Sequence, residues 1–321
     1  MIHEMLIAPI AMHIPDGFLS VPVSIVLWVL AIAAIGLALA RVGEDMGERQ
    51  VPLMGVMAAA IFAGQMLNFP VAGGTSGHLI GAALATILLG PWAAILVLTS
   101  VVSIQALLFQ DGGLLALGGN IFNMAVVSVA VSYAVYSLVR RLAGNRKLGL
   151  LVGGFVTAWL SVFIASLGVG LQLAASGTTR ADLAIPAMGG VHALIGIGEG
   201  LITVGALAFV AATRPDLLKL GEARSRGSRA IAVGGLAIAL ALAVLSPIAS
   251  ANPDGLDWVA KQQNFLGQAQ GPQFTLIPNY VFPGIDSPAL ATIVAGVLGT
   301  LIVFGVAMAV AYSRKRRQPT A

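Results

Sequence analysis

Long apolar runs set the class of this chain. Phe18 to Ala40, Val51 to Phe69, Trp92 to Phe109, Asn120 to Leu138, Leu148 to Leu171, Ala187 to Ala212, Ala230 to Ala249 and Ala289 to Ala311 are each long enough to cross a bilayer at ~1.5 Å per residue. A further run, His78 to Leu89, is equally apolar but too short to cross alone. Only 9% of the 321 residues are charged, against roughly 25% in water-soluble domains. A chain so poor in charge cannot coat a water-facing globule. The expected fold is an all-α, polytopic membrane helix bundle of about nine transmembrane helices.

The basic residues orient the bundle. Arg41 and Arg49, then Arg140, Arg141, Arg146 and Lys147, then Arg214, Lys219, Arg224, Arg226 and Arg229, and finally Arg314, Lys315, Arg316 and Arg317 fall in alternate connections. Arg180 and Lys261 stand opposite them. Cytoplasmic loops are enriched in Lys and Arg, so the N-terminus is expected outside and the C-terminus in the cytoplasm. The short run must count as a crossing, or the later basic loops change sides. The pI near 9.8 is thus an anchoring signature rather than a nucleic-acid footprint. The expected home is a bacterial or archaeal cytoplasmic membrane.

The chain has no cysteine, so thiolate sites and disulfides are excluded and any metal must take nitrogen or oxygen donors. Three stretches offer them. Met12-His13-Ile14-Pro15-Asp16-Gly17 is a polar turn before the first span. If Met12 carried a free amine, that amine, the His13 amide and the His13 imidazole would form fused chelate rings in one plane, a layout suited to Ni(II) or Cu(II). Asp16 could hydrogen-bond a ligand, although an exposed terminus with Asp16 capping the next helix fits the same spacing. His78 follows a glycine-rich break that contains Ser76. Irregular backbone beside a truncated span points to a binding site, although a capping or packing histidine fits equally. His192 and Glu199 lie two helical turns apart on one face of a span. A carboxylate at that depth is a functional candidate by default, although a Glu bonded for helix packing fits as well. Asn120 opens the fifth span, either as a cap or as a support to the site.

Read together, MHIPDGFLS at 12–20, GGTSGHLIGA at 73–82, DGGLLALGGNIFNM at 111–124 and VHALIGIGEG at 191–200 resemble the CbiM/NikM substrate-binding components of energy-coupling factor (ECF) cobalt and nickel transporters. ANPDGLDWVAKQQNF at 251–265 resembles the PDGLE-type, CbiN/NikN-like partner, here on the same chain. The resemblance implies capture of Co(II) or Ni(II) outside the cell by Met12, His13 and His78. It implies a transmembrane coupling subunit (CbiQ/NikQ-like) and ATP-binding subunits (CbiO/NikO-like) as partners. Asp16, Ser76, Asn120, His192 and Glu199 would then be supporting or pathway residues. No tightly bound cofactor is expected, and the metal is cargo.

The expected division is an extension at 1–11, a metal-binding membrane module at 12–215, a cytoplasmic linker at 216–228 and a two-span module at 229–321. The family motif begins at the initiator methionine, so the functional chain is expected to begin at Met12, by a later translation start or by cleavage. If residues 1–11 are retained, Met1-Ile2-His3 is itself an amine, two amides and an imidazole in sequence. There is no GxxxxGK[ST] phosphate loop and no HExxH metalloenzyme helix. The expectation is a transporter subunit, not an enzyme, importing Co(II) for cobalamin biosynthesis, with Ni(II) the alternative. The rival reading is a self-sufficient secondary carrier relaying protons through Glu199 and His192.

Overall fold

The computed structural model describes residues 12–43, 49–143, 147–218 and 228–314. Residues 1–11, and with them the Met1-Ile2-His3 chelate, lie outside the described residues. The first helix, α1, spans Val21–Val42 and α2 spans Gln50–Gln65. A two-stranded antiparallel hairpin follows, β1 (Phe69–Val71) with β2 (Thr75–Gly77). Next come α3 (Ala82–Leu89), α4 (Pro91–Phe109), α5 (Leu117–Ile121) and α6 (Ser128–Ala143). A π-helical turn at Phe122–Val127 joins α5 to α6 without a break. The chain continues through α7 (Lys147–Ala175), α8 (Ala181–Thr213), α9 (Ser228–Val244), a short α10 (Gly255–Gln262) and α11 (Pro288–Arg314).

Among the described residues, six helices are long and apolar enough to cross a membrane: α1, α4, the joined α5–α6, α7, α8 and α11. The α2 helix, at 16 residues, and α9, at 17, are shorter apolar helices, and α3 has only 8 residues. The short run therefore differs from its expected form. It does not begin as a helix at His78. Its first residues extend the hairpin, and the helix starts only after Gly81, whose φ of +79° suits a residue without Cβ.

Helices α7 and α8 pack against each other along their length, while α2 is enclosed by α4, α9 and α11. Small residues permit the closest approaches. A Cβ on Gly299 of α11 would strike Phe62 of α2, as expected where helix packing relies on close contact rather than on water exclusion. The C-terminal helices thus clasp a helix of the N-terminal part.

The two ends of the bundle differ in chemistry. At one end Arg49 pairs with Asp216 at 3.8 Å, and Gly43, after α1, lies against the main chain of Arg314. The other end gathers the 12–20 turn, the hairpin, the 110–116 loop and the 250–287 connection. That connection crosses the whole end. Ser250 N donates to Asn68 O (2.8 Å), Gln270 N to Asp16 O (2.7 Å) and Ile277 N to Leu108 O (3.0 Å).

Candidate metal centre

The Met12–Ile14 segment is buried, yet it has no strand or helix partner for its backbone. Two side chains take that role. Asp111 Oδ1 accepts from Met12 N at 2.8 Å and from His13 N at 3.2 Å. Asn120 clamps Ile14, accepting from its N at 3.0 Å and donating to its O at 3.1 Å. The same Asp111 oxygen lies 3.1 Å from His13 Nδ1. Three nitrogens of one dipeptide therefore share one carboxylate oxygen as neighbour. Asp111 is turned to them by Tyr280, whose hydroxyl donates to its Oδ2 at 2.6 Å.

The second wall is built from the hairpin. Ser76 N donates to Pro253 O at 2.8 Å, and Ser76 Oγ donates to Asn252 O at 2.9 Å. Thr75 Oγ1 adds a bond to Pro253 O at 3.0 Å. These bonds fix the Asn252-Pro253-Asp254 stretch along β2, so that Asp254 Oδ1 meets His78 Nδ1 at 3.1 Å. Just beyond His78, Glu199 of α8 accepts from Ile80 N at 2.7 Å and Gly81 N at 2.8 Å. Those N–H groups precede the first turn of α3 and have no helical partner. In hydrocarbon such groups cost several kcal/mol when left unpaired, so the buried Glu199 carboxylate fixes the segment that carries His78.

The two walls converge. The rings of His13 and His78 have centroids 5.5 Å apart and meet edge to face at 76°. They border a cavity of about 70 Å³ whose lining includes Asn120, Met188, His192 and Asp254. His192 Nδ1 bonds Met188 O at 2.8 Å; a carbonyl only accepts, so Nδ1 carries the proton and Nε2 keeps its lone pair. Among the described residues no three His, Asp or Glu side chains are grouped as a cation cage. The donors that do converge are two imidazoles and two main-chain nitrogens.

The charges suit a cation. Burial lowers the His78 pKa, but the charge and hydrogen bond of Asp254, with Asp111 and Glu199 further off, leave it raised overall. Burial raises Asp111, but the His13 charge and hydrogen bond, then Tyr280 and His78, hold it below the usual carboxylate range. Asp254 is held low in the same way, chiefly by His78 against burial. Asp257 on α10 is pushed up to about 7 by burial, then by Asp254 and Asp111. Two carboxylates are therefore held as anions, Asp254 lining the cavity beside His78 and Asp111 next to His13.

Among the residues singled out in the sequence, Met12, His13 and His78 come together, with Asn120, His192 and Glu199 around them. Asp16 and Ser76 do not face the cavity. Asp16 accepts from Leu114 N at 3.1 Å and Ala116 N at 2.9 Å, which ties the N-terminal turn to the start of α5. Ser76 fastens the C-terminal segment. Sequence reasoning missed Asp111, Asp254 and Tyr280. The two aspartates each precede a glycine in a loop on the histidine side of the predicted topology, a signal that was present. Tyr280 carried none.

A model of the "cobalt uptake substrate-specific transmembrane region" matches residues 13–217, and a model of the PDGLE domain matches residues 229–316. A putative fused nickel transport protein, NikMN, of Archaeoglobus fulgidus is 39% identical over 93% of this chain and 97% of its own length. The fused nickel transport protein NikMN of Rhodobacter capsulatus is 33% identical over 80% of this chain and 78% of its own. The cobalt transport protein CbiM of Sorangium cellulosum is 33% identical over 59% of this chain and 85% of its own. A crystal structure described as a transition metal transporter aligns at a TM-score of 0.56 and 36% identity, covering 67% of this chain and all of that one.

Proposed function

Because this chain belongs to the CbiM family of cobalt-uptake membrane components and carries a PDGLE domain behind it, we propose that it is the cation-capturing subunit of an ATP-dependent ECF transporter. It is a multi-pass membrane component of cobalt or nickel transport. The further reading is that Met12 N, His13 N, a His13 ring nitrogen and a His78 ring nitrogen bind the cargo cation. The observation that carries it is the meeting of Met12 N, His13 N and His13 Nδ1 around one point, with the His78 ring beside them. Coordination from these atoms closes a five-membered ring between the two main-chain nitrogens and a six-membered ring through Nδ1. Donors so constrained favour a planar field, which suits Ni(II). Two relatives that match 80% or more of the chain are named for nickel. These two observations reverse the order expected from the sequence, so Ni(II) comes first and Co(II) second.

The nine-crossing topology with the N-terminus outside belongs to the same proposal, supported by the basic residues at one end of the bundle and the donors at the other. The membrane is the cytoplasmic membrane. Partners are a coupling subunit and ATP-binding subunits, since no phosphate-binding loop occurs in the chain. Capture releases protons, because imidazole and main-chain nitrogens bind metal only when deprotonated.

The test is titration of the purified full-length chain with Ni(II) and Co(II). Loss of an outer hydrogen-bond partner of a ligand costs 10–100-fold in affinity, so loss of a ligand costs more. His13→Ala and His78→Ala are each expected to weaken Ni(II) binding by more than about 100-fold. Undiminished binding in either variant refutes the donor set. Uptake into liposomes by this chain alone, under a proton gradient and without ATP, would instead establish the secondary carrier.

A further inference from the structure

Asp111 Oδ1 lies 2.8 Å from Met12 N, 3.2 Å from His13 N and 3.1 Å from His13 Nδ1. Both main-chain N–H bonds point at this oxygen. Once a proton leaves, the nitrogen lone pair points the same way. Metal–nitrogen bonds are about 2.0–2.1 Å long. An ion set at that distance along the N–H directions falls within about 2 Å of the place where the oxygen now stands. The oxygen and the cation therefore cannot both keep these positions on the same nitrogens.

The other carboxylate oxygen is held elsewhere. Tyr280 donates to Oδ2 at 2.6 Å. Its ring is stacked on Phe109 with centroids 4.7 Å apart and lies 6.2 Å from Phe62. The segment that presents Tyr280 is not at ease. Asn279 and Tyr280 both have positive φ, +54° and +58°, a region that non-glycine residues adopt only when contacts hold them there. Gln110, next to Asp111, is a third such residue at +55°. Two uncommon backbone conformations thus face each other across one hydrogen bond.

We propose that Asp111 stands in the place the cargo cation takes, that capture drives its carboxylate off the three nitrogens, and that Tyr280 carries this displacement into residues 276–282 of the C-terminal module. Asp111 and Tyr280 are then positioning residues that report cargo from one module to the other. The proposal rests on the nitrogen donor set argued above. In chemical terms each N–H that is replaced by a metal–nitrogen bond loses its proton to water. The carboxylate stays anionic and exchanges N–H partners for the vicinity of the dication.

The experiment is hydrogen–deuterium exchange on the full chain in detergent, with Ni(II) as the probe, Mg(II) as the control and bound nickel measured in parallel. Saturating Ni(II) is expected to slow exchange in residues 14–17, next to the ligating nitrogens, and to speed it several-fold in residues 276–282, where the strained turn is released. Tyr280→Phe should keep the response at 14–17 and lose the one at 276–282. The proposal is overturned if nickel binds to the wild-type chain and residues 276–282 do not respond, a result that needs no variant. It is equally overturned if Tyr280→Phe retains the response there. Failure of nickel to bind at all is a different outcome, which removes the donor set itself.

Discussion

At His78 two opposed influences meet. Burial disfavours the imidazolium, and the Asp254 carboxylate 3.1 Å from Nδ1 favours it more, so the pKa ends above its ordinary value. A cation competes with that proton. Affinity is therefore complete above the raised pKa and falls as pH drops through it. Asp254→Asn removes the two largest causes that raise the pKa and leaves burial opposed only by the more distant Asp111 and Glu199. The acid limb of Ni(II) binding should move to lower pH, while affinity at alkaline pH drops about 10–100-fold for want of the orienting partner. A binding profile from pH 5 to 9 checks both shifts, and an unmoved acid limb would dissociate Asp254 from the metal site. The histidines themselves were legible in the sequence, because a histidine beside a glycine-rich break is chemically conspicuous. Asp254 was not legible as their partner. It is 176 residues from His78, and only the fold can show that β2 lays the Asn252–Asp254 stretch against it.

Among the elements, the short α3 and its approach carry the most information. The sequence indicates a truncated span after a loop, and the helix is 8 residues long. It does not show that the loop is a β-hairpin, since strands of three residues are too short to have a periodic signature to detect. Nor does it show what completes α3. The partner is Glu199, in the middle of a 33-residue helix, and its spacing from His192 suggested a proton path instead. Both carboxylate oxygens are engaged by Ile80 N and Gly81 N. Glu199→Ala leaves two buried N–H groups unpaired, at about 1–3 kcal/mol each. The expected results are a thermal midpoint lowered by several degrees and Ni(II) affinity weakened through the loosened His78 segment. Glu199→Gln retains one acceptor oxygen and should fall between the two. Equal behaviour of the alanine and glutamine variants would refute the anchoring role.

At the scale of the molecule, apolar run length located the membrane helices, and the alternation of basic loops predicts which end of the bundle faces the cytoplasm. The way the C-terminal part joins the rest was beyond such patterns, because helix packing in lipid depends on shape and on small residues rather than on hydropathy. Here α9 and α11 clasp α2, and residues 250–282 reach Asn68, Ser76, His78, Asp16, Leu108 and Asp111 in turn. Those contacts join residues up to Leu218 directly to residues from Ser228 onward. A chain divided between Leu218 and Ser228 and co-expressed as two polypeptides should co-purify as a one-to-one pair and bind Ni(II) with affinity within a few-fold of the intact chain. Separation of the halves on a sizing column in mild detergent would contradict it.

Ser76 and Thr75 grip the Asn252–Pro253 carbonyls mostly through main-chain and hydroxyl groups. A grip of that kind tolerates changes in the side chains it holds. Drift among neighbouring residues of either half can therefore accumulate while the seam stays closed.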